Sequence, residues 1–125
     1  VEVINWYKNG RRIYFLKQNG QVIYDSGEGE GTVEIEQSFD SDYENIFVLN
    51  EHSKNDIDFI DLEYGQYHEE FTNCVYYQVN PINKNVQFAF RNESESALKL
   101  PLEKRVEELE NALLLVVDKL NGGIL

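Results

Sequence analysis

Arg11–Tyr24 reads RRIYFLKQNGQVIY, and the Asn-Gly pair inside it decides the fold class. Two β-prone runs, Arg11 to Lys17 and Gln21 to Tyr24, flank Asn19-Gly20. Asn-Gly between such runs is the strongest short hairpin signal, because a type I′ turn needs positive φ at both central residues. A second pair, Asn9-Gly10, follows the aromatic run Val3 to Lys8. Two such turns in succession predict a three-stranded antiparallel meander at the start of the chain.

Downstream, Gly27-Glu28-Gly29-Glu30-Gly31 reads as an acidic loop too flexible for regular structure. It contains neither G-x-G-x-x-G after a strand nor a lysine for a phosphate cradle, which argues against a nucleotide loop. Val33 and Ile35 alternate with acids as a short strand would, and Asp42 to Asn50 reads as a short helix capped by Asp42. Ile57 to Tyr64 is expected as a strand ended by Gly65, and His68 to Thr72 as an acidic turn. Cys74 to Val79 and Val86 to Arg91 read as paired strands joined by the Asn80–Asn85 loop. Val86, Phe88 and Phe90 would share one face, with Gln87 and Ala89 opposite.

The last quarter changes period. From Pro101 to Leu120, apolar residues fall at Leu102, Val106, Leu109, Leu113, Val116 and Leu120, the 4-3 spacing of an a/d seam. Pro101 and Glu103 suit a helix start, Lys119 its end, and Gly122-Gly123 a stop. The expected fold class is therefore α+β: a mainly antiparallel β domain over residues 1–97 and a C-terminal α-helix of coiled-coil character over 98–125. A lone helix of about 20 residues is marginal in water, so it must dock on its own sheet or on copies of itself. The seam spacing favours copies, and hence a homo-oligomer.

Composition sets the outer bounds. With 125 residues and sixteen aromatics (seven Phe, eight Tyr, one Trp), the chain is long and apolar enough for one domain with a real core. Residues 25–63 carry thirteen acids against Lys54 alone, enough to account for the whole net charge of −12. Residues 1–24 are basic instead, with Lys8, Arg11, Arg12 and Lys17 against Glu2. Such an acidic middle repels phosphates, so nucleic acid is not an expected partner. The charge segregation reads as a solvated acidic face, or as complementary docking between neighbouring subunits. No signal peptide and no run long enough to span a bilayer are read, so membrane insertion is not expected. The single Cys74 forbids an internal disulfide and fits synthesis in a reducing cytoplasm.

Chemistry-bearing motifs are sparse. His52 and His68 lie outside H-E-x-x-H and away from metal-ligand spacing, and His68-Glu69-Glu70 reads as a solvated loop. The clusters Asp56, Asp58, Asp61 and Asp40, Asp42, Glu44 lack the glycine and final glutamate of an EF-hand. Cys74, in an apolar run, reads as buried and inert. The expectation is thus no catalytic residue, no metal and no cofactor. A groove of Trp6, Tyr7, Tyr14, Tyr76 and Tyr77 is the one candidate binding surface, for sugars by stacking, with core packing as the plainer use of those rings.

Four motifs carry a family resemblance. W-Y-K-N-G-x-R-I-Y-x-L-x-x-N-G-x-V-I-Y spans Trp6 to Tyr24, I-D-L-E-Y-G-Q-Y-x-E-x-F spans Ile60 to Phe71, Y-x-V-N-P-x-x-x-x-V-x-F-x-F spans Tyr77 to Phe90, and P-L-E-K-R-V-E-E-L-E spans Pro101 to Glu110. In this order they resemble small tail or baseplate accessory proteins of siphophages that infect Gram-positive bacteria. The resemblance implies a virion structural component, made in the bacterial host cytoplasm and placed in the tail. It implies contacts with other tail proteins and no enzyme activity. A carbohydrate-binding accessory module contacting the host surface is the alternative.

Overall fold

The computed structural model describes residues 3–91, 98–107, 109 and 110. Its centre is strand β2 (Arg11–Leu16), which lies between β3 (Val22–Asp25) and β5 (Ile57–Leu62) in an antiparallel sheet ordered β3-β2-β5. Alternation sends successive side chains of β2 to opposite faces. Ile13 and Phe15 enter one core with Leu62, Val79, Val86 and Phe88. Tyr14 enters a second core with Leu49 and Ile57. All three of these β2 side chains are fully buried, so this short strand reads as continuous apolar sequence because both of its faces are covered.

The first face is roofed by the hairpin β6 (Cys74–Val79) and β7 (Val86–Phe90), with Val79 opposite Val86. The short helix α3 (His68–Asn73) presses Phe71 edge-on against Tyr77 and Phe88, at ring separations of 5.1 and 5.0 Å. Burying a ring such as Phe88 contributes about 1.5–3 kcal/mol. The second face is roofed by α1 (Phe39–Asn45) and α2 (Phe47–Asn50). Ser38 caps α1 by accepting from Ser41 N–H, and Asp40 and Asp42 sit in its first turn, where the helix dipole favours anions. Phe39 and Tyr43, one helical turn apart, stack at 6.2 Å and bring the helix onto Tyr14 and Phe59.

A separate two-stranded ribbon stands beside these layers. β1 (Tyr7–Asn9) pairs with β4 (Gly29–Gly31), placing Tyr7 opposite Gly31 and Asn9 opposite Gly29. The expected meander is therefore corrected: of the two Asn-Gly pairs, only Asn19-Gly20 joins strands that pair with each other, β2 and β3. That turn is not type I′ either, since only Gly20 has positive φ, at 78°. Gly10 serves another purpose. A Cβ on it would lie 2.0 Å from the Leu62 carbonyl oxygen, so only glycine lets β5 come this close. Gly20 meets both demands: a Cβ there would lie 1.9 Å from the Val79 carbonyl oxygen, and its own carbonyl accepts from Val79 N–H at 3.0 Å.

Other expectations shift locally. The helix expected from Asp42 starts at Phe39 and breaks at Ile46, whose backbone is extended. His68 to Thr72 forms a helix where a turn was expected. The glycine-rich loop contributes β4, while Val33 and Ile35 lie outside any strand.

The largest correction concerns the C-terminus. The structure is mainly antiparallel sheet with short helices, and no long coiled-coil helix is present among the described residues. Lys99 exchanges two backbone hydrogen bonds of 2.7 Å with Phe88, adding residues 98–100 to the outer edge of β7. Pro101 is buried, and a short helix follows over residues 102–107, its first amide donating to Glu70 Oε1 at 3.1 Å. Leu102, Val106 and Leu109 of the expected seam are exposed, while Leu113, Val116 and Leu120 lie outside the described residues. The 4-3 spacing marks a stripe, but a coiled coil forms only where a second helix covers it.

Candidate functional site

The polar chemistry of the molecule gathers where β2 begins. Arg11 and Arg12 are neighbours on one strand and therefore point to opposite faces. Arg11 lies over the Phe71 ring at 3.9 Å and pairs with Asp25 at 3.0 Å. Tyr77 donates its hydroxyl to the same Asp25 oxygen at 2.7 Å. Burial, then that hydrogen bond, push the Tyr77 phenol well above its usual pKa. On the other face, Arg12 lies over Phe59 at 4.0 Å and grips Asp61 with two bonds of 2.6 and 2.9 Å. Next to it Tyr14 donates to Asp42 at 2.5 Å, and burial, reinforced by this bond, pushes the Tyr14 phenol up to about 12. Arg11 and Tyr77 share one carboxylate, while Arg12 and Tyr14 hold separate ones. These are struts between layers.

The residues singled out from sequence are dispersed. Tyr14 and Tyr77 are core residues on opposite faces of the central sheet, Trp6 and Tyr76 are exposed, and Tyr7 is half-buried in β1. They form no single stacking platform. His52 closes the α2 region, where its carbonyl accepts from Tyr43 hydroxyl at 2.7 Å, whereas His68 is exposed at the start of α3. Cys74 is half-buried with its thiol directed at the Phe71 carbonyl, and burial pushes its pKa up, favouring the unreactive thiol. Asp58 pairs with Lys84, Asp40 with Lys54 and Asp61 with Arg12, so the acidic clusters are divided among separate cations. Among the described residues, no three or more His, Cys, Asp or Glu side chains converge as a metal site would require.

What sequence reasoning missed is the side chain of Asn9. Its amide donates to the Val33 carbonyl and accepts from Ile35 N–H, both at 3.0 Å. This ties residues 32–37 as a strap beside the ribbon. Val33 and Ile35 on the strap remain 68% and 60% exposed, far more than a folded interior requires. Val3, Ile4 and Trp6 are also exposed, and they leave β1 at the end where Thr32 leaves β4. A trough of about 270 Å³ runs along Asn9, Glu30, Gly31, Val33 and Ile35. A second cleft, of about 360 Å³, separates the strap from Tyr24 and Asp42. The Gln37 side-chain oxygen is buried without a partner among the described residues.

No family model, curated protein or solved structure matches the chain.

Proposed function

We propose that the chain is a non-catalytic structural component of a bacteriophage tail or baseplate, located in the virion and acting through contacts with other tail proteins. The observation that carries this reading is the ribbon and strap, where large apolar side chains stand in solvent on a hydrogen-bonded frame. The motif resemblance supports it in a particular way. Several of its residues are framework residues: Gly10 and Gly20 permit close backbone approach, Arg12 and Tyr14 brace one face, and Tyr77, Val79 and Phe88 build the other. A shared frame with free surfaces suits a part whose work is assembly. Sugar stacking has less support, because Tyr14 is enclosed by Phe39 and Phe59 and the Tyr77 hydroxyl is engaged by Asp25.

The test is mass spectrometry of purified virions from the encoding phage or prophage, paired with co-purification against the products of adjacent genes. The expected result is stoichiometric presence in particles and a stable complex with a tail protein. Absence from particles, with no such complex, would overturn the reading.

A further inference from the structure

We propose that the open edge of the strap at Glu34 and Glu36 receives an extended segment of another protein in which basic and apolar side chains alternate. This rests on the assembly reading above and specifies the chemistry of the partner.

The inference starts from backbone geometry. In an extended chain, the C=O of one residue and the N–H two positions on point to the same side, and those of the residue between point to the other. Asn9 takes the Val33 C=O and the Ile35 N–H, standing in for a neighbouring strand on that side. The backbone groups of Glu34 and Glu36 then face away from Asn9, and they make no hydrogen bond with any described residue. Residues 33–35 are held through Asn9 as a strand would hold them although no strand forms there, and unpaired backbone groups so presented are a template for strand addition.

The side chains state what would fit. A strand added to this edge places a side chain beside each strap side chain on both faces. Val33 and Ile35 call for apolar neighbours. Glu34 and Glu36, which have no cationic partner among the described residues, call for basic ones. Val33, Glu34, Ile35 and Glu36 are each exposed, so a partner can reach them. A second copy of the chain is a poor occupant. Pairing two straps would bring carboxylates together, the copy carries a net charge of −12, and its Arg11 and Arg12 are already bound to Asp25 and Asp61. The two glutamates thus repel copies while attracting a basic strand.

The probe is a fluorescein-labelled peptide of alternating Lys and Val, about nine residues long, enough to span the strap. Its affinity is measured by anisotropy, with Lys-Ser and Glu-Val peptides alongside. Glu34→Lys with Glu36→Lys, and separately Val33→Ser with Ile35→Ser, should each weaken Lys-Val binding about tenfold or more. Glu44→Lys with Glu51→Lys makes the same charge change elsewhere and should alter binding by no more than about twofold. Glu34→Pro, which removes an edge N–H, should weaken binding more than Glu34→Gln. All these substitutions are at exposed positions, and thermal melts confirm that each variant is folded.

Three results would overturn the inference: no binding of the Lys-Val peptide, equal binding of the Lys-Ser peptide, or equal loss in the control charge variant. Sedimentation that finds a wild-type dimer dispersed by Val33→Ser with Ile35→Ser would make a second copy the occupant, and would overturn it too. Peptide binding fails or succeeds independently of virion content, so the loss of this inference is distinguishable from the loss of the tail assignment.

Discussion

The two faces of β2 carry the same device in different surroundings. On each, an arginine lies over a phenylalanine ring and holds a carboxylate, with a tyrosine hydroxyl bound to a carboxylate nearby. On the Arg11 face both partners are enclosed, with side chains 17% and 15% exposed, and Tyr77 converges on the same Asp25 oxygen. On the Arg12 face Asp61 is 58% exposed, and Tyr14 uses a different carboxylate, Asp42. A shared, largely enclosed acceptor couples three groups into one unit; separate acceptors leave two pairs joined only through the contact between Arg12 and Tyr14. The contrast predicts three stability effects of decreasing size.

The largest belongs to Asp25→Ala. It leaves the largely enclosed Arg11 guanidinium without its carboxylate and the Tyr77 hydroxyl without its acceptor. It also removes the side-chain cap on Gly27 N–H. Loss of one member of a fully buried ion pair costs about 3–5 kcal/mol; both side chains here keep some exposure, so urea melts should report about 2–3 kcal/mol. A loss below about 1 kcal/mol would mean that water reaches the site and that the two faces are alike.

How much of this was legible follows from which signals survive in one dimension. β5, β6 and β7 were legible because their side chains alternate against a core, as Ile57, Phe59, Val86 and Phe88 do. β4 was not, since Gly29-Glu30-Gly31 forms its ladder from backbone groups alone. α3 offers only Phe71 to the core, too little for a helical period to register. Asn9-Gly10 misled because glycine is used there for close approach by Leu62, whereas a hairpin turn uses it for positive φ. The C-terminal spacing misled because it encodes a stripe without supplying the surface that covers it. The pairing of each arginine with a distant carboxylate, and the strap held by Asn9, depend on long-range register that no local pattern carries.

The intermediate effect is that of Tyr14→Phe, which leaves Asp42 without its hydroxyl donor and should cost about 1–2 kcal/mol at neutral pH. It also has a pH signature. Burial raises the folded phenol from the usual 10.0 to about 12, so the folded state keeps a proton that the unfolded state releases first. That contribution to stability is complete below pH 10 and is lost as pH climbs through about 12. Tyr14→Phe should flatten this decline in part, the remainder coming from Tyr77, whose phenol is raised in the same direction. Urea melts from neutral to strongly alkaline pH would show it; parallel curves for wild type and variant would mean that Tyr14 titrates normally.

The smallest effect should be that of Asp61→Ala, although its two short bonds to Arg12 form the tighter-looking pair. Bond length is the wrong guide here. The Arg12 side chain is itself only 11% exposed, but Asp61 is mostly in water, so water can occupy the place its oxygens held while Arg12 keeps its seat on Phe59. Exposed pairs are worth about 0.2–1 kcal/mol, and the bidentate geometry puts this one toward the upper end. Screening separates the two faces further. The Asp61→Ala loss should shrink between low and high salt as mobile ions replace the carboxylate, while the Asp25→Ala loss should hold because ions do not reach an enclosed pair. The measurement is a set of urea melts on both variants at two ionic strengths. Equal losses with equal salt dependence would show that burial does not divide the faces, and the different standing given to Arg11 and Arg12 would fall.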